Sequence, residues 1–106
     1  MSFYISKVLE GGFDAVVQRL TEALKSEGFG VLTDIDVRAT LKNKIGVDWR
    51  AYRILGACNP PLAHQALEAE DKIGTMLPCN VIVQDVGGGK IEVAAVDPVA
   101  SMQAIQ

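Results

Sequence analysis

The 106-residue sequence contains one histidine, two cysteines and only 6% aromatic residues. The cysteines, Cys58 and Cys79, are widely separated, so there is no Cys-x-x-Cys redox motif. Structural zinc sites usually draw their ligands from closely spaced pairs, and the sequence has no such pair. These absences disfavour a thiol redox function and a zinc site of the usual kind.

Long hydrophobic runs and clusters of basic residues are also missing. No apolar stretch approaches the roughly 20 residues that a membrane-spanning helix needs, and the first residues lack the apolar region of an export signal. The formal net charge is -3 and the basic residues are scattered, which disfavours binding to nucleic-acid phosphates. We therefore expect a cytoplasmic protein with reduced thiols and with neither a membrane nor a nucleic acid as its partner.

The length and the apolar content fit a single domain over residues 1–106. A chain of this length is too short for two cores of useful size. The 49% of apolar residues suffice for an ordinary core without a metal or a disulfide. We therefore expect no cofactor.

The spacing of apolar residues predicts a series of strands and helices, because strands alternate every second residue and helices repeat every 3.6 residues. The predicted strands cover Phe3–Leu9, Val31–Val37, Trp49–Cys58, Cys79–Val86 and Lys90–Val96. The predicted helices begin at Phe13, Arg38, Pro60 and Pro98. The glycines between the last two strands predict a hairpin. The order β-α-β-(short α)-β-α-β-β-α predicts an α+β two-layer sandwich, with a four- to five-stranded, mainly antiparallel sheet and helices on one face.

The alternation within strands also predicts which side chains share a face. Asp34 and Asp36 are predicted to share a face that is exposed to solvent. There they are more simply interpreted as surface charges than as a pair of catalytic carboxylates. A sheet covered by helices on one side leaves apolar residues such as Leu32, Leu55 and Val96 uncovered. Covering them favours self-association into a homodimer.

A Cys-Asn pair occurs twice, as Cys58-Asn59 at the end of one strand and as Cys79-Asn80 at the start of another. Asn59 followed by Pro60 has the pattern of a helix N-cap. If the two strands are neighbours, both pairs lie near the start of that helix, where the helix dipole lowers a thiol pKa. Cys58, Asn59, Cys79 and Asn80 are therefore the candidate ligand-binding residues.

His64 lies about one turn into the same helix and adds an imidazole to the two thiols. Cys58, His64 and Cys79 thus form a candidate set of ligands for a transition metal. The simpler alternative is that both cysteines fill space at strand ends and that His64 is a polar surface residue.

Three stretches together resemble a known family: "KIGVDWRAYRILGACNPPLAHQALEAE", "LPCNVIVQD" and "VAAVDP". They resemble the domain of unknown function 302 family (DUF302, also called TT1751-like), over essentially the whole chain. The resemblance implies a compact two-layer domain that usually forms a dimer, with no activity assigned to the family as a whole. Members typically continue into a longer closing helix, so this chain is expected to lack part of that helix.

These observations favour a non-catalytic homodimer that binds a small ligand or a protein through the open face of its sheet. The alternative is a metal- or thiol-dependent site at Cys58, Cys79 and His64. An enzyme is the least favoured function, because no nucleophile, base and orienting group can be placed together.

Overall fold

The structure, a computed structural model, describes residues 3–96. The strands are β1 (Tyr4–Glu10), β2 (Gly30–Asp36), β3 (Tyr52–Cys58), β4 (Cys79–Gly87) and β5 (Lys90–Val96). The α-helices are α1 (Phe13–Ser26), α2 (Val37–Ile45) and α3 (Pro60–Ala69), and a 3₁₀ helix, Asp71–Met76, follows α3. Within residues 3–96, no helix has the length and apolar character needed to cross a lipid bilayer. The helix predicted from Pro98 lies outside the described residues.

The strands form one sheet in the order β1-β5-β4-β3-β2, and every neighbouring pair is antiparallel. β1 and β2 follow each other in the chain but lie at opposite edges of the sheet. The connecting helix α1 therefore crosses the sheet, and it contacts β2 and β4. The predicted α+β sandwich and its order of elements are confirmed over the described residues.

The core lies between α1 and one face of the sheet, here called the helix face and defined by Leu55, Val83 and Ile91. The apolar stripe of α1 turns Val16 and Val17 toward this face, and all five side chains are buried in one cluster. The predicted amphipathic helix beginning at Phe13 is thus the element that makes the core.

The other side of the sheet, here called the far face, carries the side chains that alternate with the core residues. The strand register places Ile54 opposite Ile82, and Ile82 opposite Ala94. An apolar row therefore runs across β3, β4 and β5 on the side of the sheet away from α1.

The structure corrects the predicted dimer surface at Leu55. The alternation within β3 is as predicted, but Leu55 points toward α1 and is only 1% exposed. Of the other two residues predicted to need cover, Leu32 is 66% exposed and Val96 is half-buried. The prediction was wrong for Leu55 because alternation shows which residues share a face but not which face the helix covers.

A β-bulge at Leu32 changes the predicted faces of β2, because the register with β3 shifts there. The extra residue reverses the facing of the residues that follow it. Asp34 and Asp36 consequently pair with Leu55 and Arg53 on the helix face. They share one face and are exposed, as predicted, but they lie on the side of the sheet that α1 partly covers.

Candidate functional site

The two cysteines lie at the same end of neighbouring strands but on opposite faces of the sheet. Cys79 pairs with Ala57 in the β3–β4 register, so these two residues share a face. Cys58 is the next residue in β3 and therefore points to the other face. Both thiols are free, with Cys58 half-buried and Cys79 exposed.

The residues that follow Cys58 begin and support α3. The Asn59 Oδ1 accepts a hydrogen bond from the Leu62 backbone N–H at 3.2 Å, so Asn59 is the predicted N-cap. His64 is exposed, and its Nε2 lies 3.3 Å from a carboxylate oxygen of Glu68, one turn further along the helix. These contacts give both side chains structural partners within α3.

The predicted metal ligands are not brought together. Among residues 3–96, no group of three histidine, cysteine or acidic side chains is placed to hold a metal ion. Because the two thiols point to opposite faces, a shared ion would require β3 or β4 to rearrange. A metal at Cys58, His64 and Cys79 therefore stays a prediction without geometric support.

Asn80 is the predicted site residue that does line a cavity. It lies in β4 opposite Gly56, on the far face of the sheet. There it borders a groove of about 360 Å³. Volumes of this size are typical of sites for small molecules.

The groove has an apolar floor and aromatic walls. Ile82 and Ala94 form part of the floor, and they lie directly opposite each other in β4 and β5. Tyr4 lies on the β1 side and Tyr52 on the β3 side. Phe3 also lines the groove, and its ring meets the Tyr4 ring edge to face, with 5.3 Å between centroids. Apolar contact area with few polar groups is the usual composition of a ligand pocket.

Gln84 and Glu92 form a polar end of the groove, where they lie opposite each other. The Gln84 Nε2 donates a hydrogen bond to the Glu92 Oε1 at 2.7 Å. The Arg50 Nη1 donates to the Gln84 Oε1 at 3.4 Å, and the Arg50 guanidinium lies 4.1 Å from the centroid of the Trp49 ring. This series of contacts orients the Gln84 amide so that its NH₂ group faces the carboxylate.

A second hollow, also about 360 Å³, lies on the helix face, and charged side chains dominate its lining. Arg53 lines it and makes two hydrogen bonds to the carboxylate of Asp34, one of them 2.9 Å from Nε to Oδ1. These bonds hold the pKa of Asp34 below its usual value, against the opposing effect of burial. Asp36 accepts a hydrogen bond from the Ala39 backbone N–H at 2.9 Å and caps α2. Both carboxylates of the predicted acidic pair thus have structural partners.

Sequence reasoning missed the polar end of the groove. Neither Gln84 nor Glu92 is among the site residues predicted from the sequence. Alternation along β4 places Asn80, Ile82 and Gln84 on one face, which is a usable signal. The face on which the Glu92 side chain lies depends on a register shift between Asp85 and Gly87, and the sequence does not reveal that shift.

Fold and cavity together define the chain as a small antiparallel α+β domain with a groove of ligand size on its sheet. It belongs to the family described as "Domain of unknown function DUF302", which matches residues 5–106. The structure is similar to the crystal structure of an uncharacterized conserved DUF302 protein from Bacillus stearothermophilus. The TM-score is 0.89 and the identity 30%, and the match covers 99% of this chain and 81% of that one. No curated protein matches the sequence.

Proposed function

We propose that this chain is a non-catalytic, homodimeric binding module of the cytoplasm that takes a small molecule in the far-face groove. The observation that carries the proposal is the lining of that groove. An apolar floor, aromatic walls and a few polar groups at the ends are what a binding site needs. The volume suits a small molecule better than a protein segment, so of the two kinds of ligand we choose the small molecule.

The chemistry of the lining supports binding rather than catalysis. Its polar side chains supply two amides, one carboxylate and two phenols, which are donors and acceptors for recognition. The stronger nucleophiles and bases of the chain lie elsewhere. His64 is exposed on α3 beside Glu68, and Cys58 lies beyond the lining of the groove.

A neutral fluorescent probe tests the binding function. N-phenyl-1-naphthylamine should bind with saturable fluorescence enhancement at one probe per chain, because the groove offers a single apolar floor. Ala94→Trp places an indole on that floor and should abolish the signal. Ala15→Trp, at an exposed position of α1, is the matched control and should bind as the unmodified protein does. Equal binding by both variants would refute the groove as the site, provided that circular dichroism shows both are folded.

Self-association is supported by α3. This helix has ten residues and no buried side chain. Its two leucines, Leu62 and Leu67, are 56% and 41% exposed. Isolated helices of this length are marginal in water, and most helices gain their stability from tertiary packing. We infer that a second copy of this chain covers α3.

Sedimentation velocity tests the dimer. At about 10 μM the protein should sediment at twice the mass of one chain, since burying two leucine side chains and their neighbours favours association. Leu62→Glu combined with Leu67→Glu should give monomers that remain folded, because both positions are exposed within the chain. Leu32→Glu is a control at an exposed position of β2. It should remain dimeric, because the surface now proposed for the dimer is α3 and not the one around Leu32 that alternation suggested. A monomer of the unmodified protein at this concentration would count decisively against the homodimer.

A further inference from the structure

We propose that the far-face groove selects a small organic cation, an ammonium group carried on an apolar body, with Glu92 as the residue that recognises the charge. This inference rests on the proposed binding function of the same groove. It adds the chemical class of the ligand.

The charge of the groove comes from one side chain. Glu92 is the only charged residue among those that line the groove within the described part of the chain. Arg50, the nearest cation in the series of contacts, lies outside the lining and is held against Trp49 and the Gln84 amide. Arg50 therefore makes no direct ion pair with Glu92, and a ligand in the groove lies next to the negative charge of the Glu92 carboxylate.

The Glu92 carboxylate has acceptor capacity to spare. An ionised carboxylate offers about four acceptor positions on two oxygens, and the Gln84 Nε2 occupies one of them at 2.7 Å. Because Arg50 fixes the orientation of the Gln84 amide, that hydrogen bond also holds the carboxylate in place. An ammonium group placed beside it would form charge-assisted hydrogen bonds, which are stronger than neutral ones.

The rest of the lining suits the remainder of such a ligand. Tyr52 lies opposite Gln84 in the neighbouring strand, close enough to the polar end for its ring to attract a cation. Ile82 and Ala94 are two residues further along their strands and would contact an apolar chain or ring. Asn80 follows after two more residues, roughly 13 Å from Gln84 at the usual rise of a strand. The groove therefore suits a ligand with the ammonium at one end and an apolar body that extends along the floor toward Asn80.

Three probes with one shared apolar body test the charge preference. They are 4-phenylbutylamine, 4-phenylbutanol and 5-phenylvalerate, each measured by displacement of N-phenyl-1-naphthylamine and by titration calorimetry. The amine should bind about tenfold more tightly than the alcohol, through its charge-assisted hydrogen bonds, and the carboxylate should bind most weakly. Raising the salt concentration should weaken only the binding of the amine.

Glu92→Gln is the decisive variant, because glutamine keeps an oxygen for the Gln84 Nε2 and removes the charge. It should lower the affinity for the amine about tenfold, to that of the alcohol, and leave the affinity for the alcohol unchanged. Glu22→Gln, at an exposed position of α1, is the matched control and should change neither affinity. If the unmodified protein binds amine and alcohol equally, or prefers the carboxylate, the cation inference fails while the groove stands. If none of the three probes binds and N-phenyl-1-naphthylamine also fails to bind, the proposed function fails with it.

Discussion

Replacing Leu55 by alanine is expected to lower the free energy of unfolding by about 2–5 kcal/mol. Leu55 is 1% exposed at the centre of the helix face, where it packs in one cluster with Val16, Val17, Val83 and Ile91. Truncation removes the favourable transfer of its methyl groups and leaves a cavity that strands on both sides keep from collapsing. In a small domain, a loss of this size is a large share of the total stability.

Urea denaturation at fixed protein concentration measures this loss, with Leu32→Ala as the matched control. Leu32 is 66% exposed at the bulge of β2, so the same truncation there should change the free energy of unfolding by no more than about 0.5 kcal/mol. Both residues belong to the set that alternation alone assigns to an uncovered apolar surface. Equal effects of the two substitutions would mean that α1 does not cover Leu55 in solution.

The contrast between Leu55 and Leu32 also marks how far the sequence predicts this fold. The period of apolar residues was sufficient to locate five strands and to predict that the side chains of β3 alternate between two faces. The side on which α1 packs depends on the order of the strands, since α1 must cross from β1 at one edge to β2 at the other. That order is set by pairing between residues distant in the chain, and alternation within one strand carries no information about it.

Two β-bulges limited the prediction of the site more than any error in secondary structure. The shift at Leu32 moves Asp34 and Asp36 to the helix face, and the shift between Asp85 and Gly87 moves Glu92 opposite Gln84. One extra residue in a strand reverses the facing of all that follow. Leu32 gives no sign of the first bulge, and the run Gly87, Gly88 and Gly89 is compatible with hairpins of more than one register, so the sequence does not specify the second. Asn80 was predicted from the repeated Cys-Asn pair, without any knowledge of its face, whereas the place of Glu92 on the far face depends on the second shift.

The repeated Cys-Asn pair shows the same limit. Each pair was predicted at the correct end of its strand, and Asn59 caps α3 as expected. The register nevertheless places Cys79 opposite Ala57 rather than Cys58, and an offset of one residue is enough to put the thiols on different faces. Proximity along neighbouring strands is therefore not sufficient to predict a shared site.

Gly56→Ala is expected to destabilise the protein by about 1–3 kcal/mol, although a glycine in a strand is usually improved by alanine. Gly56 is buried on the far face. A methyl group there would lie 2.6 Å from the Pro78 Cγ and would also clash with the Thr33 Oγ1. The Thr33 hydroxyl can rotate away, but the Pro78 ring is fixed to the backbone that leads into β4. The segment before Asn80 would therefore have to move.

Thermal and urea unfolding of Gly56→Ala and Gly30→Ala separate this clash from the general effect of adding a methyl group to a strand. Gly30 lies in β2, and a methyl group there would meet no atom within 4 Å, so its substitution should be neutral or stabilising by up to about 1 kcal/mol. Adding Thr33→Ala to Gly56→Ala should restore part of the stability, because one of the two clashes disappears.

Since Asn80 lines the groove opposite Gly56, the Gly56 variant should also bind N-phenyl-1-naphthylamine more weakly. A Gly56→Ala protein as stable as Gly30→Ala would show that Pro78 does not rest against β3, and the shape of that end of the groove would have to be revised.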